Sequence, residues 1–219
     1  VKNFLSIAPL GILMAVAYIN YGWFSILLFF GPLLLARYSF KLYIDMRRIY
    51  FETIKALSNA IDAKDRYTNG HSHRVAHYSE QLARKMGLSN KQIDTIKTAA
   101  ILHDIGKIGI DDHILNKPSS LTESEFYLIK QHPIIGANIL KDVDFLGNVV
   151  KIIKHHHERY DGKGYPDGLK EGEIPIEAAI LAVADAFDAM TSNRPYRMAM
   201  SFNTALNIIL NESGKQFNP

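Results

Sequence analysis

The chain has 219 residues, 47% of them hydrophobic, which suits a folded domain with an accessory segment and excludes wholesale disorder. Its 25 basic and 22 acidic residues leave a formal charge of +3, too balanced for the electrostatic footprint of a nucleic-acid polymer partner. There is no cysteine, which excludes disulfides, thiolate metal sites and a cysteine nucleophile, and leaves nitrogen and oxygen as the ligands of any metal.

The sequence begins at Val1 and stops at GKQFNP without an obvious closing element, so it reads as a fragment truncated at both ends. Residues 4–38, FLSIAPLGILMAVAYINYGWFSILLFFGPLLLARY, carry no charge before Arg37 and are broken near the middle by NYG. A membrane span needs roughly 20 apolar residues, with about 17 as a lower limit, so two short spans joined at Asn20 to Gly22 are expected. Tyr18, Tyr21 and Trp23 would lie at an interface, with Lys2, Arg37, Lys41, Arg47 and Arg48 on the cytoplasmic side. This predicts an inner-membrane protein with its remaining domain in the cytoplasm. A cleaved signal peptide fits less well, because its apolar region is only about 7–15 residues and ends at a small-residue cleavage site.

Residues 41–60 come next. Ile44, Ile49, Phe51, Ile54, Leu57 and Ile61 recur at mostly helical spacings among charges, which predicts a stalk helix. It is read either as a connector packed on the next domain or as a parallel homodimer seam that passes a signal from the membrane. The expected organisation is therefore 1–40 membrane segment, 41–60 stalk and 61–219 cytoplasmic domain.

From residue 61 onward helical periods dominate. SNKQ at 89–92 and TESE at 122–125 have the capping-box spacing that satisfies free amides at a helix start. Pro175 suits the first turn of a helix through IEAAILAVADAFDAMTS, and Ser201 suits the cap of one through FNTALNIIL. The prediction is all-α: a bundle of roughly six or seven helices with short connections. The exception is a loop at about 159–175, in the length range where loops usually carry function.

All nine histidines fall between positions 71 and 157. AAILHDIGK ends an apolar helix with His103 and Asp104 side by side. His132, in YLIKQHP, is placed near the middle of an amphipathic helix. Asp185 lies inside the apolar run ILAVADAFDAM, where a carboxylate must be paired, hydrogen-bonded or metal-bound to offset desolvation. With the paired histidines before ERYDGKGYP, these oddities converge on a buried histidine and carboxylate metal cluster.

Taken together, DAKDRYTNGHSHRVAHYS, AAILHDIGKIGIDDHILNKPSSLT, HPIIGANIL, HHERYDGKGYPDGL and VADAFDAMTSNRPYR resemble, in order, the blocks of the HD-GYP family, a branch of the HD superfamily of metal-dependent phosphohydrolases. The resemblance covers residues 57–219. It implies an HD-domain helical bundle and degradation of the bacterial second messenger cyclic di-GMP to pGpG or onward to GMP. It also implies two divalent metal ions, iron or manganese first, with zinc, nickel or magnesium as alternatives. By motif position the metal ligands are His71, His103, Asp104, His132, His156, His157 and Asp185, with Asp104 bridging. Some members carry a glutamate four residues before the first histidine that helps to hold a third metal. Here that position is Tyr67, which implies two ions only.

Two ions about 3.5–4 Å apart would lower the pKa of a bridging water, aim the resulting hydroxide at phosphorus and stabilise attacking and leaving oxygens. Asp104 and Lys107 are the expected catalytic residues, Lys107 because one helical turn beyond His103 its ammonium can meet phosphorane charge. Lys107, Arg194 and Arg197 are the expected substrate contacts, since arginine's fork suits phosphate oxygens. Gly162, Gly164, Tyr165 and Pro166 should shape the pocket rim. His73, His77 and His113 are read as surface or supporting groups. His155 makes a run of three and leaves the ligand register open. The expected partners are cyclic di-GMP, the membrane, a second copy through the stalk and diguanylate cyclase-type domains. Another cyclic dinucleotide such as cyclic GMP-AMP, and a non-catalytic signalling module, are the alternative readings.

Overall fold

The computed structural model describes residues 2–64, 70–193 and 198–219. Among these residues the regular structure is helical and there is no β-strand. The chain divides into two compact units, Val1–Glu52 and Thr53–Pro219.

The first unit holds α1 (Lys2–Tyr21) and the greater part of α2 (Phe24–Lys64). Gly22, at φ 71°, ends α1 in a backbone conformation that glycine adopts without strain. The break thus falls where the sequence predicts it, but the expected spans do not follow. No helix among the described residues is long and apolar enough to cross a membrane, which overturns the inner-membrane expectation. In α1 the apolar run is cut short by Lys2 and Asn3 at one end and Asn20 at the other, with Pro9 inside. In α2 the uncharged stretch runs only from Phe24 to Ala36 before Arg37, short of the roughly 20 apolar residues that a span requires.

Residues 41–60 are helical and continue α2 without interruption. Ile44, Ile49 and Leu57 are exposed, whereas Ile54 and Ile61 are buried. At its end, Lys64 Nζ donates to the carbonyls of Ile108 and Ile110, both at 2.8 Å. The Lys64 carbonyl accepts from Asn116 Nδ2 at 3.2 Å, within the second unit.

The second unit continues with α3 (His71–Lys85), α4 (Asn90–Leu102), a 3-10 turn at Ile105–Gly109, and α5 (Asp112–Leu115). Then come α6 (Glu123–Ile129), α7 (His132–Leu140), α8 (Gly147–His155), α9 (Ile176–Thr191) and α10 (Phe202–Asn211). Eight α-helices among the described residues replace the smaller number expected for 61–219. One reason is local: His132, expected near the middle of a helix, instead opens α7 just after α6 ends. Pro133 has no N–H to bond the carbonyl of Ile129, so the ladder stops there and restarts at His132.

Local chemistry fixes the other starts. Ser89 and Gln92 form a reciprocal capping box on α4, and Thr122 and Glu125 form one on α6. Ser201 accepts the Thr204 amide at 3.2 Å and caps α10. The core is built where α3 meets α4 and α9, and where α4 and α7 meet α8. Ala83 on α3, Ile93 and Ile96 on α4, and Ile180 on α9 bury one cluster. Val75, Ala99, Ala100, Ile153 and Leu181 are likewise almost inaccessible. The alanines let helix axes approach closely, which brings the ends of α4, α7 and α8 and the flank of α9 to one place.

Candidate metal centre

His103 follows the last residue of α4, His132 opens α7 and His156 follows the last residue of α8. Helix ends leave carbonyls without intrahelical donors. Each of these imidazoles takes one. His103 Nδ1 lies 2.8 Å from the Ala100 carbonyl, His132 Nδ1 2.8 Å from Ile129, and His156 Nδ1 2.6 Å from Ile153. A carbonyl only accepts, so the hydrogen-bond network puts the ring proton on Nδ1 and leaves a lone pair on Nε2.

Those lone pairs face one another. His132 Nε2 and His156 Nε2 are 3.4 Å apart. Asp104 adds a carboxylate between neighbours, with Oδ2 3.5 Å from His103 Nε2 and Oδ1 3.4 Å from His132 Nε2. Asp185 Oδ1 lies 3.2 Å from His71 Nε2 and 4.0 Å from His103 Nε2. Three overlapping groups result: His132, His156 and His157; His71, His103 and Asp185; and His103, Asp104 and His156. Within each, the potential ligand atoms lie within 4.8 Å of one another. Acceptors crowded at this spacing repel unless a cation lies among them, so the donor set fits hard or borderline divalent metals.

Electrostatics agree with that fit. Burial opposes ionisation of Asp104, yet Lys107 and the imidazoles of His103, His132 and His71 override it and hold the carboxyl well below the ordinary range. Lys107 Nζ is 2.7 Å from Asp104 Oδ2. Burial, reinforced by neighbouring imidazoles, pushes His156 well down and His157 down to about 3, so both rings are neutral at physiological pH. Burial also opposes a charge on His71, but hydrogen bonds to Asp185 and Asp188 prevail and push its pKa up to about 10. The pocket between those carboxylates favours positive charge. A metal cation at the Nε2 side meets the same demand.

The turn after Asp104 is shaped by Gly106. Any side chain there would collide with the His132 carbonyl, so only glycine lets the Ile105–Gly109 turn lie on the start of α7. On the other side, the loop after α8 doubles back across its own beginning. A Cβ on Gly164 would strike the backbone of Glu158 and Arg159. Tyr165 N donates to the His157 carbonyl at 3.2 Å, and Glu158 Oε1 accepts the amides of Asp167 and Gly168 at 2.7 and 3.1 Å. The Tyr165 ring packs 4.9 Å from that of His157, and Lys130 Nζ lies 5.3 Å from the Tyr165 ring centre. Burial pushes the Tyr165 phenol above its ordinary range. Gly162, at φ 74°, makes the turn beneath, and Pro166 follows a cis peptide bond. The C-terminal segment holds the loop from below: Tyr160 N and Asp161 N donate to the carbonyls of Gln216 and Lys215 at 3.2 and 2.8 Å.

The HD domain family matches residues 55–219, three-quarters of the chain and all of the cluster. The chain belongs to the HD domain family. Its HDIGK, QHP, HHERYDGKGYP and VADAFD blocks set it in the HD-GYP branch. It is 44% identical over 170 residues to the cyclic di-GMP phosphodiesterase response regulator RpfG of Xanthomonas campestris pv. campestris, covering 77% of this chain and 45% of the relative. It is 43% identical over 188 residues to a cyclic di-GMP phosphodiesterase of Thermotoga maritima, covering 85% of this chain and 51% of the relative. The chain spans about half the length of these curated relatives. A cyclic GMP-AMP-specific phosphodiesterase of Vibrio cholerae superposes with a TM-score of 0.59 over 77% of this chain and 45% of its own, at 20% identity, a likeness of fold alone.

In this HD domain the seven residues expected as ligands come together from five helices and the turns beside them. His155 turns away: its Nδ1 meets the Lys151 carbonyl at 2.9 Å and its Nε2 meets Asp167 Oδ2 at 3.0 Å, so the pair in the cluster is His156 and His157. His73, His77 and His113 are exposed. Tyr67, Arg194 and Arg197 lie outside the described residues. Sequence reasoning missed Asp188, which is 1% exposed and 2.7 Å from His71 Nδ1. It also missed Arg74, whose Nε donates to Asp188 Oδ1 at 2.7 Å. The signal was present, because Asp188 lies three residues beyond Asp185 in the same apolar helix and meets the same desolvation argument.

Proposed function

We propose that residues 53–219 form a metal-dependent phosphodiesterase that hydrolyses cyclic di-GMP to pGpG or GMP. The observation that carries this reading is the convergence of five imidazoles and two carboxylates beside the lysine of the HD motif. The names of the relatives, at 44% and 43% identity, support the substrate class.

In this reading two divalent ions, iron or manganese, are held by His71, His103, Asp104, His132, His156, His157 and Asp185. Asp104 is the shared ligand, since its two oxygens address different imidazoles at 3.5 and 3.4 Å. When bound, such ions supply Lewis-acid activation of water and of the phosphoryl group at neutral pH. The protein's own residues do the rest. The neutral imidazoles present lone pairs without competing protons, and backbone carbonyls hold their rings in aim. Lys107 keeps an ammonium beside Asp104, placed to stabilise the charge that gathers on phosphoryl oxygens and the leaving 3′ oxygen. Arg194 and Arg197 are the proposed phosphate contacts. Tyr165, packed on His157, forms the rim against which the nucleotide rests.

Purified protein loaded anaerobically with Mn(II) or Fe(II) should convert cyclic di-GMP to pGpG or GMP, followed by chromatography. Asp104→Ala should abolish turnover. A folded wild type that is inert with every metal, or one that turns over cyclic GMP-AMP while leaving cyclic di-GMP intact, would refute the proposal.

A further inference from the structure

The imidazoles around the centre are not held alike. His103, His132 and His156 rest their Nδ1 atoms on backbone carbonyls at helix ends, at 2.8, 2.8 and 2.6 Å. His71 rests its Nδ1 on a carboxylate instead, Asp188 Oδ2, at 2.7 Å. That carboxylate is buried to 1% exposure and is held in turn from the far side. Arg74 donates to it from Nε at 2.7 Å and from Nη2 at 3.0 Å, and Ser192 Oγ donates to it at 3.3 Å. Arg74 Nη2 also donates to Ser192 Oγ at 3.2 Å, so guanidinium, hydroxyl and carboxylate close a small ring.

We propose that Arg74 and Asp188 are positioning residues that make the two halves of the metal centre unequal, fixing His71 in the half it shares with His103 and Asp185 through a charged chain that has no counterpart, among the described residues, at His132, His156 and His157. The chain runs from guanidinium to carboxylate to imidazole and ends at His71 Nε2, 3.2 Å from Asp185 Oδ1. An anionic acceptor on Nδ1 fixes the tautomer, raises the basicity of Nε2 and so strengthens whatever metal bond forms there. A neutral carbonyl fixes the ring but donates less electron density. Arg74 matters because an ionised carboxylate this deeply buried is costly without a counter-charge. Its guanidinium sits at the edge of the unit, with its side chain 42% exposed, while the carboxylate it holds is inside. One half of the centre therefore holds an imidazole, His71, tuned by side chains, whereas His103, His132 and His156 are aimed by main chain.

This rests on the two-ion reading above, but its test does not depend on turnover. Mn(II) is titrated into metal-free protein by equilibrium dialysis and followed by electron paramagnetic resonance. The wild type should bind two ions per chain and show a spin-coupled pair. Asp188→Asn keeps the shape of the side chain and removes its charge. It should weaken one ion about 10–100-fold and leave the other unchanged, so that the isolated-ion spectrum persists at one equivalent. Arg74→Met, at a partly exposed position, should shift the same ion in the same direction by less. Circular dichroism shows whether each variant is folded, and if Asp188→Asn is not, Arg74→Met decides alone. Two ions bound with wild-type affinities in the folded variants, or an equal loss at both positions, would overturn the proposal. So would a wild type that binds a single ion. A wild type that binds two ions yet hydrolyses nothing would sink the proposed function and leave this inference standing.

Discussion

Gly106 lies against the main chain of His132 so closely that a methyl group on its α-carbon would collide with the His132 carbonyl and come within 2.6 Å of Gly136 N. The neighbours are backbone atoms of α7, which cannot rotate aside as a side chain can. Gly106→Ala should therefore push the Ile105–Gly109 turn off α7 and separate Asp104 from His132. Overpacking of this kind costs about 1–3 kcal/mol or more. Urea unfolding of metal-free protein should show the loss, and metal content should fall with it. An alanine variant with unchanged stability and full metal content would mean that the turn and α7 move apart freely.

Tyr165 packs its ring 4.9 Å from that of His157, at the edge of the cluster. Removing its ring should disturb recognition more than metal binding. Tyr165→Ala is expected to raise KM for cyclic di-GMP about threefold to tenfold, the equivalent of one lost aromatic contact, while metal per chain stays at the wild-type level. Equal loss of metal and affinity would place the ring within the centre itself.

The loop's lower edge carries a pH dependence of its own. Arg159 donates to Asp161 from Nε at 3.0 Å and from Nη2 at 2.9 Å, and these bonds lower the carboxyl from an ordinary 3.8 to about 2. A carboxyl depressed in the folded state stabilises that state above its unfolded pKa and ceases to do so as pH falls through the folded one. The Arg159–Asp161 contribution should thus be complete above about pH 4 and vanish towards pH 2. Thermal melts of wild type and Asp161→Asn should differ at pH 5 and converge near pH 2. Parallel curves across that range would show that the pair adds nothing to folding.

Much of the site was legible because its residues break local rules. Asp185 in an apolar helix and His103 with Asp104 at the stop of another are costly unless they meet a partner, and a sequence shows that cost. Asp188 carries the same mark three residues further along the helix, buried to 1% exposure. His132 was put mid-helix because its apolar neighbours continue the period on both sides. The decisive residue was Pro133, whose missing amide splits α6 from α7. The membrane spans failed for a related reason. The break at Asn20 to Gly22 is plain in the sequence, but absence of charge is not hydropathy: with Pro9 and Asn20 in one helix and Arg37 close behind the other's start, neither helix is apolar over the length of a span. Glu158 could not be read at all, since its partners, the amides of Asp167 and Gly168, depend on a loop path that no side-chain pattern encodes.

The use of helix-end carbonyls by His103, His132 and His156 has a corollary for how freely the sequence can change. The aim of these rings is set by where each helix stops, and the body of the helix contributes only length and a buried face. Exchanges along the exposed sides of α4 and α8 leave that aim untouched. A single inserted residue does not: it would swing His103 by about 100° around the axis of α4 and carry it away from its neighbours. The centre is in this sense gauged by counting residues, and indels inside the helices are far more damaging than substitutions beside it.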